Sequence, residues 1–137
     1  MKLIYPVIIQ KEKSKGEQYR VVYVPDLDQY TQGDSLSDCI DMARDLIGVY
    51  CLTLDEDKNE PFPTPTPINK VTCKDSEFVT LVDVDYTEYK KQYSNRSVRR
   101  NVTLPSWVNY EAEKSGINVS AFLTNALKQE LHLNNRV

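Results

Sequence analysis

The rhythm of apolar and polar residues changes several times along the chain, and each change marks a different element. Near the start, LIYPVIIQ (Leu3 to Gln10) and EQYRVVYVPDL (Glu17 to Leu27) concentrate β-branched and aromatic residues, the composition of strands. KEKSKG between them is polar and ends in Gly16, so it reads as the turn of a hairpin. A shorter extended piece, QYTQG (Gln29 to Gly33), follows. From Ser35 the period lengthens: Leu36, Cys39, Ile40, Ala43, Leu46, Ile47, Tyr50, Cys51 and Leu54 recur at helical spacing and form one stripe. Ser35 and Asp38 supply a capping-type start, S-x-x-D. The stripe predicts a helix lying on the hairpin sheet, with Asp38, Asp41, Arg44 and Asp45 on its solvated face.

DEDKNEPFPTPTP (Asp55 to Pro67) then places Pro61, Pro63, Pro65 and Pro67 at alternate positions. Missing backbone donors and fixed φ angles exclude helix and central strand, which leaves a stiff extended connector. The spacing is not P-x-x-P, so an SH3 ligand is not indicated. EFVTLVDVD (Glu77 to Asp85) is the next strand, expected beside the earlier three to close a βββαβ sheet with a helix on one face. DYTEYKKQYSNRS (Asp85 to Ser97) predicts a short helix passing into a linker, with Ser94 and Asn95 marking the break.

Beyond the break the pattern alternates again. In SVRRNVTL, Val98, Arg100, Val102 and Leu104 share one face of an extended chain, and Ser97, Arg99, Asn101 and Thr103 share the other. Pro105 suits the first position of a helix running to about Ser115, Gly116 suits its stop, and Val119, Phe122, Leu123, Ala126, Leu127 and Leu131 stripe a second helix. One strand and two short helices cannot bury a core alone, and a single strand has no pairing partner. Two copies solve both problems. Their strands would pair into an antiparallel ribbon over a shared core of Val102, Leu104, Trp107, Val108, Phe122, Leu123 and Leu127. Such a ribbon fits the major groove of B-DNA, with Arg99, Asn101 and Thr103 of each chain aimed at base edges. Asn118, Val119 and Ser120 open the second helix, where free amides and the positive dipole end can clamp a backbone phosphate. Asn118 and Ser120 can equally serve as ordinary helix caps.

Charge sharpens this division. Residues 1–93 hold 11 Lys and Arg against 17 Asp and Glu, whereas residues 94–137 hold 6 against 3, although the whole chain is net -3. The tail is the part suited to a polyanion. The 40% apolar and 27% charged composition is that of a globular protein, and no apolar run approaches the roughly 18 residues a membrane span needs. The start, MKLIYPVIIQKEK, has neither signal-peptide nor transit-peptide character and reads as the first strand of a cytoplasmic protein. Cys39, Cys51 and Cys73 are too scattered for a disulfide framework or a zinc cage and read as small buried thiols. No metal or other cofactor is expected.

With these residues in view, RRNVTLPSWVNYEAEKSGINVSAFLTNALKQEL resembles a ribbon-helix-helix domain of the MetJ/Arc/CopG type, over roughly the last 40 residues. Together with YPVIIQ, YRVVYVPDLDQYTQGDSLSDCIDMARDLIGVY and DVDYTEYKKQY, it makes nearly the whole chain similar to HicB-family antitoxins. P-D-L-x-x-x-T-Q-G-D-S is the most specific piece. The resemblance implies an α+β chain: an N-terminal βββαβ partial RNase H-like domain at residues 1–84 that masks a HicA-type, mRNA-cleaving toxin, a short helix and linker at 85–95, and a ribbon-helix-helix at 96–137 that completes itself by dimerisation and represses its operon at an operator DNA. Tetramers could arise if the N-terminal domains also pair. Arg100 departs from the ribbon pattern, since an apolar side chain usually stands on its face; at the ribbon's end its guanidinium, like that of Arg96, would reach a phosphate.

The acidic N-terminal part suits a basic, RNA-binding toxin. Candidate contacts are Asp26, Asp28, Tyr30 and Gln32 in the PDLDQYTQG loop and Asp55, Glu56 and Asp57 at the head of the connector, each of which also fits an ordinary solvated loop. Two other function classes fit parts of the sequence: a free-standing repressor whose N-terminal domain senses a ligand or pairs with itself, and a metal-dependent nuclease using Asp26, Asp28, Asp83 and Asp85. The second is disfavoured because these carboxylates sit on a loop and at a strand end. His132, the only histidine, lies near the C-terminus, so no nucleophile and histidine pair is expected and no catalytic residue is assigned.

Overall fold

The apolar run after Met1 forms β1 (Lys2–Ser14), and β2 (Glu17–Val24) returns antiparallel beside it, with Ile8 opposite Tyr23. The computed structural model describes residues 1–14 and 17–133. β1 extends past Gln10 into the polar KEKS, where Lys11 faces Arg20, because ladder hydrogen bonds need no apolar side chain. The turn expected at Gly16 lies outside the described residues. β3 (Gln29–Gly33) pairs with β2, and β4 (Glu77–Asp85) pairs with the other edge of β1, with Tyr5 opposite Val82. The result is a four-stranded antiparallel sheet in the order β3-β2-β1-β4.

Helix α1 (Leu36–Thr53) starts where the sequence signals it: the Ser35 hydroxyl accepts from the Asp38 amide at 3.1 Å, and the Asp38 carboxylate accepts from the Asp34 amide at 2.9 Å. Its stripe of Cys39, Ala43, Ile47 and Cys51 is buried against Tyr5, Val7, Ile9, Val22, Val24, Val82 and Val84. Leu36, at the very start, stays exposed. Gly33 lets β3 and α1 meet, since a Cβ there would lie 2.7 Å from the Cys39 nitrogen. Arg44 corrects the sequence reading: instead of facing solvent on α1 it reaches the edge of β4, donating to the Asp83 carbonyl at 2.8 Å and pairing with its carboxylate at 3.3 Å.

A π turn (Leu54–Lys58) ends α1, with Asn59 in the left-handed region at φ 52°. The proline-rich connector is then held at three points. Phe62 meets the Tyr86 ring edge-on, the Pro63 carbonyl accepts from the Tyr5 hydroxyl at 2.7 Å, and the Thr66 hydroxyl and amide donate to Asp26 at 2.6 and 3.0 Å. A 3-10 turn (Ile68–Lys70) precedes β4. Helix α2 (Tyr86–Tyr93), capped by Asp85, lies within the unit Met1–Ser94. The Tyr89 ring packs on Gly48, Tyr86 is buried, and the Ser94 hydroxyl donates to Glu56.

The second unit, Asn95–Val137, contains α3 (Ser106–Lys114) and α4 (Val119–Glu130). Pro105 stands one residue ahead of α3 and Gly116 closes it at φ 69°. Neither helix has a buried residue. Residues 97–104, expected from their alternation to be a strand, form no strand in the single chain. Among the described residues no helix is long and apolar enough to cross a membrane.

Candidate functional site

The polar residues singled out in the tail all lie at its surface. Arg96, Arg99, Arg100, Asn101 and Thr103 are exposed. Asn118 is the cap of α4, its side-chain oxygen accepting from the Ala121 amide at 3.1 Å. That bond serves one of the amides of the first turn; those of Val119 and Ser120 precede the first possible intrahelical acceptor, so they can still bond an anion. Val119 is half-buried and Ser120 exposed. Capping and phosphate binding are thus compatible at this end.

The apolar residues of the same unit are exposed too. Trp107 is 73% exposed, Phe122 64%, Leu127 56% and Val102 52%, with Leu104 also exposed and Val108 and Leu123 half-buried. Burial of one such side chain is worth about 1.5–3 kcal/mol, so leaving this set in water forgoes most of what could stabilise two helices this short.

In the first unit the candidate contacts separate into two groups. Asp26, Asp55 and Glu56 are structural anchors: Asp26 holds Thr66, Asp55 accepts from the Tyr86 hydroxyl at 2.7 Å and pairs with Lys90 at 2.9 Å, and Glu56 holds Ser94. Asp57 is exposed. Asp28, Tyr30 and Gln32 instead border the sheet surface facing away from α1. Tyr30 stacks on Tyr23 with ring centroids 4.5 Å apart, and the Tyr23 hydroxyl donates to Asp28 at 2.8 Å, which pushes the phenol pKa up. Asp28 itself sits at φ 50°, a strained backbone region for an L residue.

The four carboxylates weighed for a nuclease each have a local task. Asp26 clips the connector, Asp28 holds Tyr23, Asp85 caps α2, and Asp83 is held below its ordinary pKa by the Arg44 guanidinium and then by Lys2. Among the described residues no group of three His, Cys, Asp or Glu side chains stands close enough to hold a metal ion. Burial raises the Cys39 pKa and pushes Cys51 to about 11, so neither is a poised thiolate. Cys73 departs from the expectation of buried thiols, being exposed.

Sequence reasoning passed over one surface. Ile4 and Leu81, 45% and 50% exposed, stand on the sheet face opposite α1. The available signal was LIYPVII itself, which lacks the polar alternation of a strand with one wet face.

No curated protein matches the chain. Among solved structures, a chain of a toxin–antitoxin complex from Streptococcus pneumoniae is 26% identical, with a TM-score of 0.61 over 95% of this chain and 99% of that one. The antitoxin HicB of Burkholderia pseudomallei is 24% identical, with a TM-score of 0.49 over 93% and 97%. The family model described as HicB-like antitoxin of bacterial toxin–antitoxin system matches residues 5–126, and the chain belongs to that family.

Proposed function

We propose that this antitoxin divides its work between its two units. The unit ending at Ser94 masks a HicA-type, mRNA-cleaving toxin by steric occlusion, which needs affinity and no turnover. The tail pairs with that of a second copy as a ribbon-helix-helix, binds operator DNA through Arg99, Asn101 and Thr103, grips phosphates with Arg96, Arg100 and the start of α4, and represses its own operon. The first unit corresponds to the partial RNase H-like domain that the family resemblance implies.

One observation carries the dimeric half of this reading: the tail's apolar residues are laid out at strand and helix spacing yet stay in water within one chain. Only pairing supplies both their cover and a ladder partner for residues 97–104. The likeness to a chain from a toxin–antitoxin complex supports the toxin half.

Truncation after Ser94 tests the division. Co-expressed with a HicA-type toxin, the truncated chain should still rescue growth and co-purify, while operator binding in a gel-shift assay disappears. Loss of rescue by a truncated chain whose circular dichroism shows a folded sheet unit refutes the division.

A further inference from the structure

We infer that the free edge of β4 pairs with the same edge of a second copy, joining two sheets into one across a two-fold axis. This goes beyond the proposed function and rests on it only for the tail pairing that supplies the other contact of a tetramer. The backbone fixes which groups face outward. Pro6 stands opposite Leu81 and has no N–H, so this pair exchanges no ladder bonds, and the N–H and C=O of Leu81 point away from β1. By the period of two, those of Glu77, Val79 and Asp83 do the same. The Asp83 carbonyl accordingly accepts from Arg44 at 2.8 Å, a side chain outside the sheet.

Both ends of this edge are already occupied. Arg44 covers Asp83, while at the other end the Glu77 amide donates to the Lys74 carbonyl at 2.9 Å and the Glu77 carbonyl accepts from the Cys73 thiol at 3.5 Å. Between them, among the described residues, no backbone group bonds Val79 or Leu81 from the outer side. Open edges are ordinarily blunted by charge, proline or shortness. β3, the other edge, is five residues long without an aliphatic side chain; β4 runs nine residues, and FVTLV at its centre holds neither charge nor proline. Phe78 and Leu81 are 41% and 50% exposed there.

The strand is complementary to itself, which selects the occupant. In an antiparallel pairing with Thr80 on the axis, Val79 meets Leu81 of the second copy. Both residues turn their backbone groups to the edge, so the pair exchanges both of its hydrogen bonds on each side of the axis. Phe78 then lies beside Val82 of the second copy and the two Thr80 hydroxyls meet, pairs of the kind that stabilise sheets. Glu77 comes opposite Asp83 of the second copy, where Lys2, 3.4 Å from the Asp83 carboxylate, offsets the like charges. One ladder this short holds only when a second contact raises the effective concentration, and tail pairing provides it. Two two-fold contacts on each chain make a tetramer.

Sedimentation velocity of the full-length chain at micromolar concentration tests this. The wild type should form tetramers. Leu81→Lys adds a charge to the edge, and Leu81→Pro deletes an outward N–H without touching the ladder to β1. Each should raise the tetramer–dimer Kd by at least about 100-fold while the dimer persists. Melting of the sheet unit should not move in Leu81→Lys, whose side chain stands half in water, so this variant keeps the test decisive if the proline disturbs the strand. Phe122→Asp should leave single chains, since it removes the contact on which the ladder depends. A wild type that stays dimeric overturns the inference, and if Leu81→Lys then weakens binding of a HicA-type toxin, the edge belongs to the toxin instead. A tetramer that survives both Leu81 variants overturns it in favour of another interface. A wild type found only as single chains refutes tail pairing itself, and this inference with it.

Discussion

The two units bury their apolar residues in opposite ways. In Met1–Ser94 one stripe of α1 meets the valines and isoleucines of the sheet, and Val7, Ile9, Val22, Ile47 and Cys51 are wholly removed from water. In the tail no residue of α3 or α4 is buried, although its sequence pattern is as regular. The difference is in topology and not in composition. A sheet with a helix across it can close a core from one chain; a strand and two short helices cannot. Regular patterning specifies which residues seek cover, and the number of elements decides whether one chain provides it.

The strongest way to break this comparison is Phe122→Asp. On a lone helix, 64% exposed, the change should be nearly silent; at a paired core it buries a charge without a partner. We expect sedimentation to show single chains, operator affinity to fall at least about 100-fold, and the sheet unit's melting to stay put. A variant that remains dimeric would remove the basis of the contrast.

Gly48→Ala should act on the other unit alone. The added methyl collides with the Tyr89 ring, so the ring must give up its packing on α1, at a cost of about 1–3 kcal/mol for overpacking. Thermal denaturation followed by circular dichroism should show the sheet unit's transition lowered and tail pairing intact.

The smallest effect expected is a slope with pH. Burial pushes the Tyr5 phenol up to about 12 and the Cys51 thiol to about 11. Both groups hold their protons more tightly folded than unfolded. Their contribution is therefore complete below the ordinary thiol range near pH 8.5 and is lost as pH rises toward the folded values. Melting of the sheet unit should decline gradually above about pH 9, and Cys51→Ala should flatten that decline. An unchanged slope would mean that Cys51 is not the group being titrated.

Much of the fold was legible because its signals are local. The Ser35 and Asp38 cap, the nine-position stripe of α1, the four strands and the Gly116 stop are all written within a few residues of where they act. Contacts across long stretches of chain were not. Arg44 looked like a solvated helix residue because its partner Asp83 is 39 positions away, and Asp26 looked available because Thr66 is 40 away. Asp55 and Glu56 likewise read as an acidic patch until α2 folds back to occupy them. Charge pattern alone cannot separate a carboxylate that anchors a helix from one that greets a partner.

The bare apolar surface of the tail makes abundance an input to the molecule. A sheet unit complete in itself keeps its shape however dilute the protein becomes, whereas pairing obeys mass action and fails below a threshold. If the tail pairs and binds an operator as proposed, grip on the DNA should lapse first when the protein grows scarce, while sheet units that fold alone keep their capacity to mask a toxin.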